Sequence, residues 1–360
     1  MTVIGTRPEA IKLAPIISAL ENKKCFHHKI CITRQHTSLL DILLENMHIK
    51  ASYQFEPIES DGDLTQSATM MLSQLGNILK KLRPDLIMVQ GDTTTAFIAA
   101  LAGFYAGISV AHVEAGLRTG NLYTPWPEEM HRCFIDKVSS FFFAPTHQAN
   151  INLIKEGVSI DKIWVVGNTS IDAIRLIYNK VDQSNINYKV PFILVTIHRR
   201  ENHGRVLKEI CSGLSILAKQ FPKIKIVFCL HPNPSIMDPV KAILASMDNI
   251  DCIPPVDHIT FIKLLKECRF VITDSGGIQE EVTFIGKPIL VIRYITERPE
   301  VIESGTGILV GTSKENIIKT ASRLLNDPTL LTSMSKVHFP YGDGYAAQKI
   351  VHILEQALKK

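Results

Sequence analysis

"DLIMVQGDTTTAFIAALAGFYAGISVAHV", residues 85–113, holds the repeating element from which the fold is built. A short apolar run from Asp85 to Gln90 turns at Gly91 into an amphipathic helical stretch, Thr94 to Tyr105. The chain then returns to β-branched residues from Ile108 to Val113. Short β-branched runs of this kind read as buried parallel strands. Working outward, "TVI" (2–4), "HKICIT" (28–33), "SFFFAP" (140–145) and "KIWVVG" (162–167) repeat the pattern, with a further helical stretch from Pro8 to Leu20. The alternation predicts an open, doubly wound α/β sheet. Its first strand is the shortest. Either that edge is weak, or the natural chain begins a few residues earlier.

The pattern breaks at "NKVDQSNINYK" (179–189), which is polar and without a steady period. A second series follows: "FILVTI" (192–197), "KIKIVFCL" (223–230), "NIDCIP" (249–254), "RFVITD" (269–274), "KPILVI" (287–292) and "GILVG" (307–311). A chain of 360 residues exceeds one comfortable core. We therefore expect two Rossmann-like domains of parallel sheet facing a cleft: residues 1–168, a linker over 169–190, and residues 191–343. The last helical stretch, 344–360, follows the turn-like "PYGDGY" and is expected to complete the first domain.

Composition excludes several classes. Hydrophobic content of 46% and charge of 21% are those of an ordinary globular protein. The net charge of +4 suits an anionic ligand but comes from no basic tail, so nucleic acid is not indicated. Seven cysteines, without a C-x-x-C pair, lie mostly in apolar runs where a reduced thiol packs as a small hydrophobe. With no signal peptide and no bilayer-length apolar run, a cytoplasmic protein without a membrane partner is expected.

"ITDSGGIQEE" (272–281) marks an anion site. An apolar strand ends at Thr273, and Ser275, Gly276 and Gly277 open a helix whose free backbone N–H groups suit a diphosphate. In the bland alternative, Asp274 and Ser275 merely cap that helix. Glu281 lies within reach of a ribose whose diphosphate sits at the helix start, and Glu280 is the better candidate for a solvated glutamate. "IGTRPEAIK" (4–12) repeats the strand–glycine–helix logic and offers Arg7 as a bidentate phosphate ligand. Arg298 in "TERPE" is a second candidate, equally suited to a surface ion pair, and His231 in "LHPNP" ends another strand. No G-x-G-x-x-G and no Walker A motif is present, so NAD, FAD and ATP are not expected.

Acid–base candidates gather at strand C-termini. Asp92 follows "LIMVQ" and is also placed to cap the next helix. Glu114 ends the apolar strand "SVAHV", where it must find a partner, with Arg118 the nearest candidate. Glu128 and Glu129 follow Pro127, where acids also favour any helix start. His198 ends "VTIH" beside Arg199 and Arg200. No histidine pair has zinc-ligand spacing, so no metal is expected.

Together "GTRPEAIKLAP", "GDTTT", "HVEAGLRTG", "PWPEEMHR", "GNTSIDA", "HRREN", "TDSGGIQEE", "KPILV", "TERPE" and "PYGDG" resemble, in order, the non-hydrolysing UDP-N-acetylglucosamine 2-epimerases. The resemblance implies a GT-B-like two-domain fold, a homodimer and a UDP-sugar substrate. It also implies reversible C2 epimerisation of UDP-GlcNAc to UDP-ManNAc for cell-surface polysaccharides. No cofactor is implied. The implied route eliminates UDP to 2-acetamidoglucal and adds it back. Asp92, Glu114, Glu128 and His198 are then the acid–base set. Arg7, Lys12, His231, Phe261, Ser275, Gly276, Gly277, Glu281 and Arg298 are the UDP contacts, with Phe261 against the uracil. Gln35 and His36 match part of an allosteric UDP-GlcNAc site, but Ser38 and Met70 depart from it. Ile197 stands before His198 where the family has a small residue, and "IRYI" replaces the usual approach to "TERPE". The alternatives are an epimerase of another UDP-sugar, a hydrolysing variant, or a GT-B glycosyltransferase.

Overall fold

The structure, a computed structural model, describes residues 1–33, 38–56, 63–178, 188 and 190–358. Gln35 and His36 lie outside the described residues. The chain divides into two compact units, Met1–Ala173 with Tyr341–Lys360, and Ile174–Pro340.

In the first unit the strands are β1 (Thr2–Ile4), β2 (Ile30–Ile32), β3 (Tyr53–Gln54), β4 (Leu86–Gln90), β5 (Ser109–Val113), β6 (Phe141–Ala144) and β7 (Ile163–Val165). They form one parallel sheet in the order β3-β2-β1-β4-β5-β6-β7. The helices between them are α1 (Arg7–Glu21), α2 (Ser38–Asn46), α3 (Leu64–Leu82), α4 (Thr94–Tyr105), α5 (Glu128–Val138) and α6 (His147–Lys155), while α7 (Thr169–Tyr178) follows β7 and passes out of this unit after Ala173.

The second unit carries β8 (Phe192–Thr196), β9 (Lys225–Cys229), β10 (Ile250–Ile253), β11 (Val271–Thr273), β12 (Ile289–Val291) and β13 (Gly307–Leu309). These also run parallel, in the order β10-β9-β8-β11-β12-β13. Its helices are α8 (Arg205–Gln220), α9 (Pro234–Leu244), α10 (His258–Glu267), α11 (Gly276–Ile285), α12 (Glu300–Glu303), α13 (Lys314–Asn326) and α14 (Pro328–Met334). Helix α15 (Ala346–Leu358) returns to the first unit, where Ile350, Val351 and Leu354 share a core with Leu13, Ile16 and Ile17 of α1.

Both sheets have the doubly wound order, which reverses direction between β1 and β4 and again between β8 and β11. Loops leaving adjacent strands there diverge and open a crevice at the strand C-termini. Arg7 and Asp92 follow β1 and β4, while His198 and Ser275 follow β8 and β11.

Three elements differ from their sequence appearance. Strand β3 was hidden because its two residues, half-buried Tyr53 and exposed Gln54, form no apolar run. Helix α4 is buried on most sides rather than amphipathic, with Ala96, Ala99, Ala100 and Ala102 all inside. Its small residues let it lie close to the sheet: a Cβ on Gly103 would meet Ile87 Cδ1 at 2.9 Å. The first half of the segment read as a linker is helical, because Ile171 and Ile174 of α7 are apolar and buried.

Asp172 of α7 holds the returning helix. Its two carboxylate oxygens accept from the amides of Ala346 and Ala347, at 3.1 and 2.8 Å, satisfying donors that a helix start leaves open. Asp172→Ala is expected to destabilise this end of α15 by about 1–2 kcal/mol. Hydrogen exchange at residues 346–351 should then accelerate about tenfold or more, with the β4 and β5 amides unchanged. Equal protection in both proteins would show that α15 is held by its apolar face alone.

Candidate active site

In the first unit, Thr93 caps α4 by accepting from the Ala96 amide at 3.0 Å. Asp92 is therefore released from capping, and its carboxylate pairs with Arg132 of α5. The same helix returns to the turn once more, through His131 Nδ1, which donates to the Asp92 carbonyl at 2.8 Å.

Glu114 has φ +73°, in the left-handed region that non-glycine residues adopt at a cost of roughly 1–3 kcal/mol. That turn of the backbone sets its carboxylate against Lys12 Nζ and Gln90 Nε2, both at 2.5 Å. Arg118 is not its partner. The guanidinium pairs instead with Asp136 and Glu156, each at 2.7 Å.

The two acids at the start of α5 separate cleanly. Glu129 is buried and accepts from Thr119 N, Gly120 N and Arg132 Nη1, at 2.8, 3.0 and 2.7 Å. Glu128 Oε2 is buried with no hydrogen-bond partner among the described residues. Arg7 is exposed at the first residue of α1, and Lys12, one turn on, lies on Glu114.

In the second unit Asp274 corrects the capping reading. Ser275 is the N-cap of α11, whereas Asp274 turns back to the β8 loop. Its carboxylate accepts from His198 N, Arg199 N and Asn202 Nδ2, at 3.1, 3.0 and 2.8 Å, and contacts His198 Nδ1 at 3.0 Å. Burial alone would raise this carboxyl, but the bonds and charge from His198, Arg199 and Asn202 outweigh it and hold it at about 2. Asp274 thus fixes the His198 ring, which stacks on His231 with centroids 6.3 Å apart.

The glycine step at α11 is required by a side chain beneath it. A Cβ on Gly276 would lie 2.5 Å from Arg298 Nη1. Arg298 is itself buried, with Nε on Glu280 and Nη1 on Glu297, both at 2.5 Å. Glu280 is accordingly not a solvated helix residue, since Arg298 needs it in the core. Glu281 Oε1 meets His258 Nε2 at 3.2 Å, and its Oε2 is buried without a partner among the described residues. Phe261, one turn beyond His258 on α10, is half-buried against the apolar core of this unit.

These two rims can do distinct chemistry. The first offers ionisable acids on a rigid sheet edge. The second offers amides at a helix start, a fixed imidazole and a buried carboxylate oxygen open to a hydroxyl.

A family described as UDP-N-acetylglucosamine 2-epimerase matches residues 18–355. The chain belongs to the UDP-N-acetylglucosamine 2-epimerase family. Membership makes it an enzyme of the isomerase class. The Yersinia pestis UDP-N-acetylglucosamine 2-epimerase is 43% identical, the match covering 99% of this chain and 98% of that one. A crystal structure of the Neisseria meningitidis UDP-GlcNAc 2-epimerase bound to UDP-GlcNAc is 41% identical, with a TM-score of 0.96 and 99% of each chain covered. The Methanocaldococcus jannaschii UDP-GlcNAc 2-epimerase, solved in complex with UDP-GlcNAc and UDP, is 35% identical with a TM-score of 0.87, again over 99% of each chain.

Within this 2-epimerase, sequence reasoning missed Glu9, Gln90, Arg132 and Asp274 as supports of the rims. Glu9 carried the one readable signal, three residues after Thr6 at a helix start. It accepts from Gly5 N, Thr6 N and both the Thr6 and Thr93 hydroxyls, at 3.1, 2.7, 2.7 and 2.7 Å, so it ties the Arg7 loop to the Asp92 turn.

Burial raises the Glu9 carboxyl from 4.5 to about 7, against those donors. The folded state therefore binds this proton more tightly than the unfolded one. The resulting stability is complete below pH 4.5 and is lost as pH rises through 7. Glu9→Gln mimics the protonated form and should escape this loss, gaining about 3 kcal/mol on wild type between the two limits. Both tryptophans, Trp126 and Trp164, lie in the first unit, so denaturant unfolding followed by fluorescence at pH 5 and pH 8 reads the difference. A gap that does not widen with pH would refute it.

Proposed function

We propose that this enzyme interconverts UDP-GlcNAc and UDP-ManNAc by eliminating UDP across C1–C2 and adding it back to 2-acetamidoglucal. The carrying observation is the trio Asp92, Glu114 and Glu128 at one sheet edge, with Glu128 Oε2 buried and open. The C2 hydrogen is not adjacent to a carbonyl, so removal and return of a proton alone is implausible chemistry. Loss of UDP at C1 makes the C2 proton removable. Re-addition then requires an acid on the other face of the ring.

Each group has a part that fits its surroundings. Glu114 and Asp92 are held beside cationic partners and are suited to work as carboxylates near the ring and its developing positive charge. Glu128 has the freest oxygen and is assigned a proton-transfer role. His198, anchored by Asp274, is assigned to the departing phosphate with His231. Ser275 and the amides of Gly276 and Gly277 are assigned to the diphosphate, the Ser275 amide itself donating to the Thr273 hydroxyl at 3.0 Å, with Arg7 and Lys12 as further cationic contacts. Arg298 acts from beneath the glycine step. Glu281 Oε2 is assigned to a ribose hydroxyl and Phe261 to the uracil. We take the enzyme to act in the cytoplasm as a homodimer supplying cell-surface polysaccharide precursors, an extension resting on the family resemblance and the cysteine pattern.

Incubation with UDP-GlcNAc alone in D₂O tests the reading. Product and recovered substrate should carry deuterium at C2 and at no other ring carbon. Glu128→Gln, the change that disturbs fewest contacts, should lower kcat by about 10²–10⁴-fold while UDP binding is retained. Epimerisation with full retention of the original C2 hydrogen would overturn the elimination route.

A further inference from the structure

Behind the acid-bearing rim lies a histidine that the chemistry above does not use. His112 of β5 is fully buried, and both ring nitrogens meet oxygen: Nδ1 lies 2.6 Å from Asp136 Oδ1, and Nε2 lies 2.8 Å from the Gly91 carbonyl. A carbonyl oxygen only accepts, so Nε2 carries a hydrogen. The Arg118 guanidinium, 2.7 Å from the Asp136 carboxyl, favours its ionised form whatever the state of His112. An ionised carboxylate also only accepts, so Nδ1 carries a hydrogen as well. The second Asp136 oxygen takes Gly116 N at 3.1 Å and Arg118 Nη2 at 2.7 Å.

These bonds reach all three acid-bearing segments. Gly91, at φ +71°, immediately precedes Asp92. Gly116, at φ +85°, follows Glu114 by two residues. Asp136 stands on α5, about 12 Å along the axis from Glu128. We propose that His112 and Asp136 are positioning residues of the first unit: an imidazole donating from both nitrogens, and the carboxylate it meets, lock the β4–α4 turn, the segment after β5, and α5 in one arrangement. Asp92, Glu114 and Glu128 keep their working spacing because this buried pair holds the three backbones that carry them. The catalytic part of this role rests on the epimerase reading. The hydrogen-bonding part does not.

The test has two arms. In ¹⁵N-histidine-labelled wild-type protein near neutral pH, His112, assigned by its loss in His112→Gln, should show two ring N–H signals. A single ring N–H would overturn the proposal whatever the kinetic variants show. In Asp136→Asn and His112→Asn, kcat should fall by about 10²-fold, as for a misplacement near 1 Å, while UDP affinity measured by calorimetry is retained. Folded variants with unchanged kcat would overturn it. So would parallel loss of kcat and UDP affinity, which marks general damage. If wild type fails to epimerise UDP-GlcNAc, the functional reading fails, and the nitrogen signals still decide the state of the pair.

Discussion

A carboxylate taken out of water must be met by donors, because an unpaired buried charge is far more expensive than any single contact is favourable. Both units build their rims under this constraint, and it sorts their acids into two groups. Glu9, Glu129, Asp136 and Asp274 receive donors on both oxygens from backbone amides, hydroxyls and cationic side chains. Each is spent on holding loops in place. Glu128 and Glu281 are different, since each keeps one buried oxygen without a partner among the described residues. An acid with an unmet oxygen inside a protein is poised for something that brings a hydrogen to it.

Helix α5 shows how one element can serve the first rim throughout its length. Its first turn supplies Glu128 and, through Glu129, fixes the Thr119 and Gly120 amides. Its second turn sends His131 and Arg132 to Asp92, and its third sends Asp136 to the β5 segment. Residues spaced by three and four along a helix share a face, so positions 128, 132 and 136 form one stripe. The rim is thus assembled by one helix crossing several strand ends, and this is why its acids come from distant parts of the chain.

The strands were legible in the sequence because parallel strands buried on both faces must be apolar throughout. Among the described residues twelve of the thirteen strands coincide with such runs, and the exception, β3, has two residues and little burial. Candidate site residues were legible to the extent that strand ends collect chemistry. Their partners were not. Asp92 sits beside Thr93, and Asp274 beside Ser275, so each helix start offers two capping residues and one-dimensional spacing cannot choose between them. The structure resolves both in the same way: the hydroxyl caps and the carboxylate turns to a cation or an imidazole. Glu280 and Glu281 posed a similar problem, since adjacent helix positions differ by about 100° and only packing decides which faces a buried arginine.

That arginine bears on how the second rim would attract the proposed anion. Arg298 is packed under Gly276 and answered by Glu280 and Glu297. Arg199 and Arg293 also reach Glu297, at 3.1 and 2.6 Å. With three guanidinium groups answered at close range by buried glutamates, the net field at the helix start is smaller than a count of arginines suggests. Attraction for a diphosphate would then rest on the backbone amides and on how closely it could approach them, both of which depend on Gly276. A lysine or arginine placed openly at this step would bind a phosphate more strongly on its own. It would also hold that phosphate more tightly after bond cleavage, which adds negative charge to it, than before. A neutralised arginine beneath an amide cradle gives geometry in place of raw charge, which would suit the proposed route, in which the diphosphate leaves the sugar carbon and returns to it.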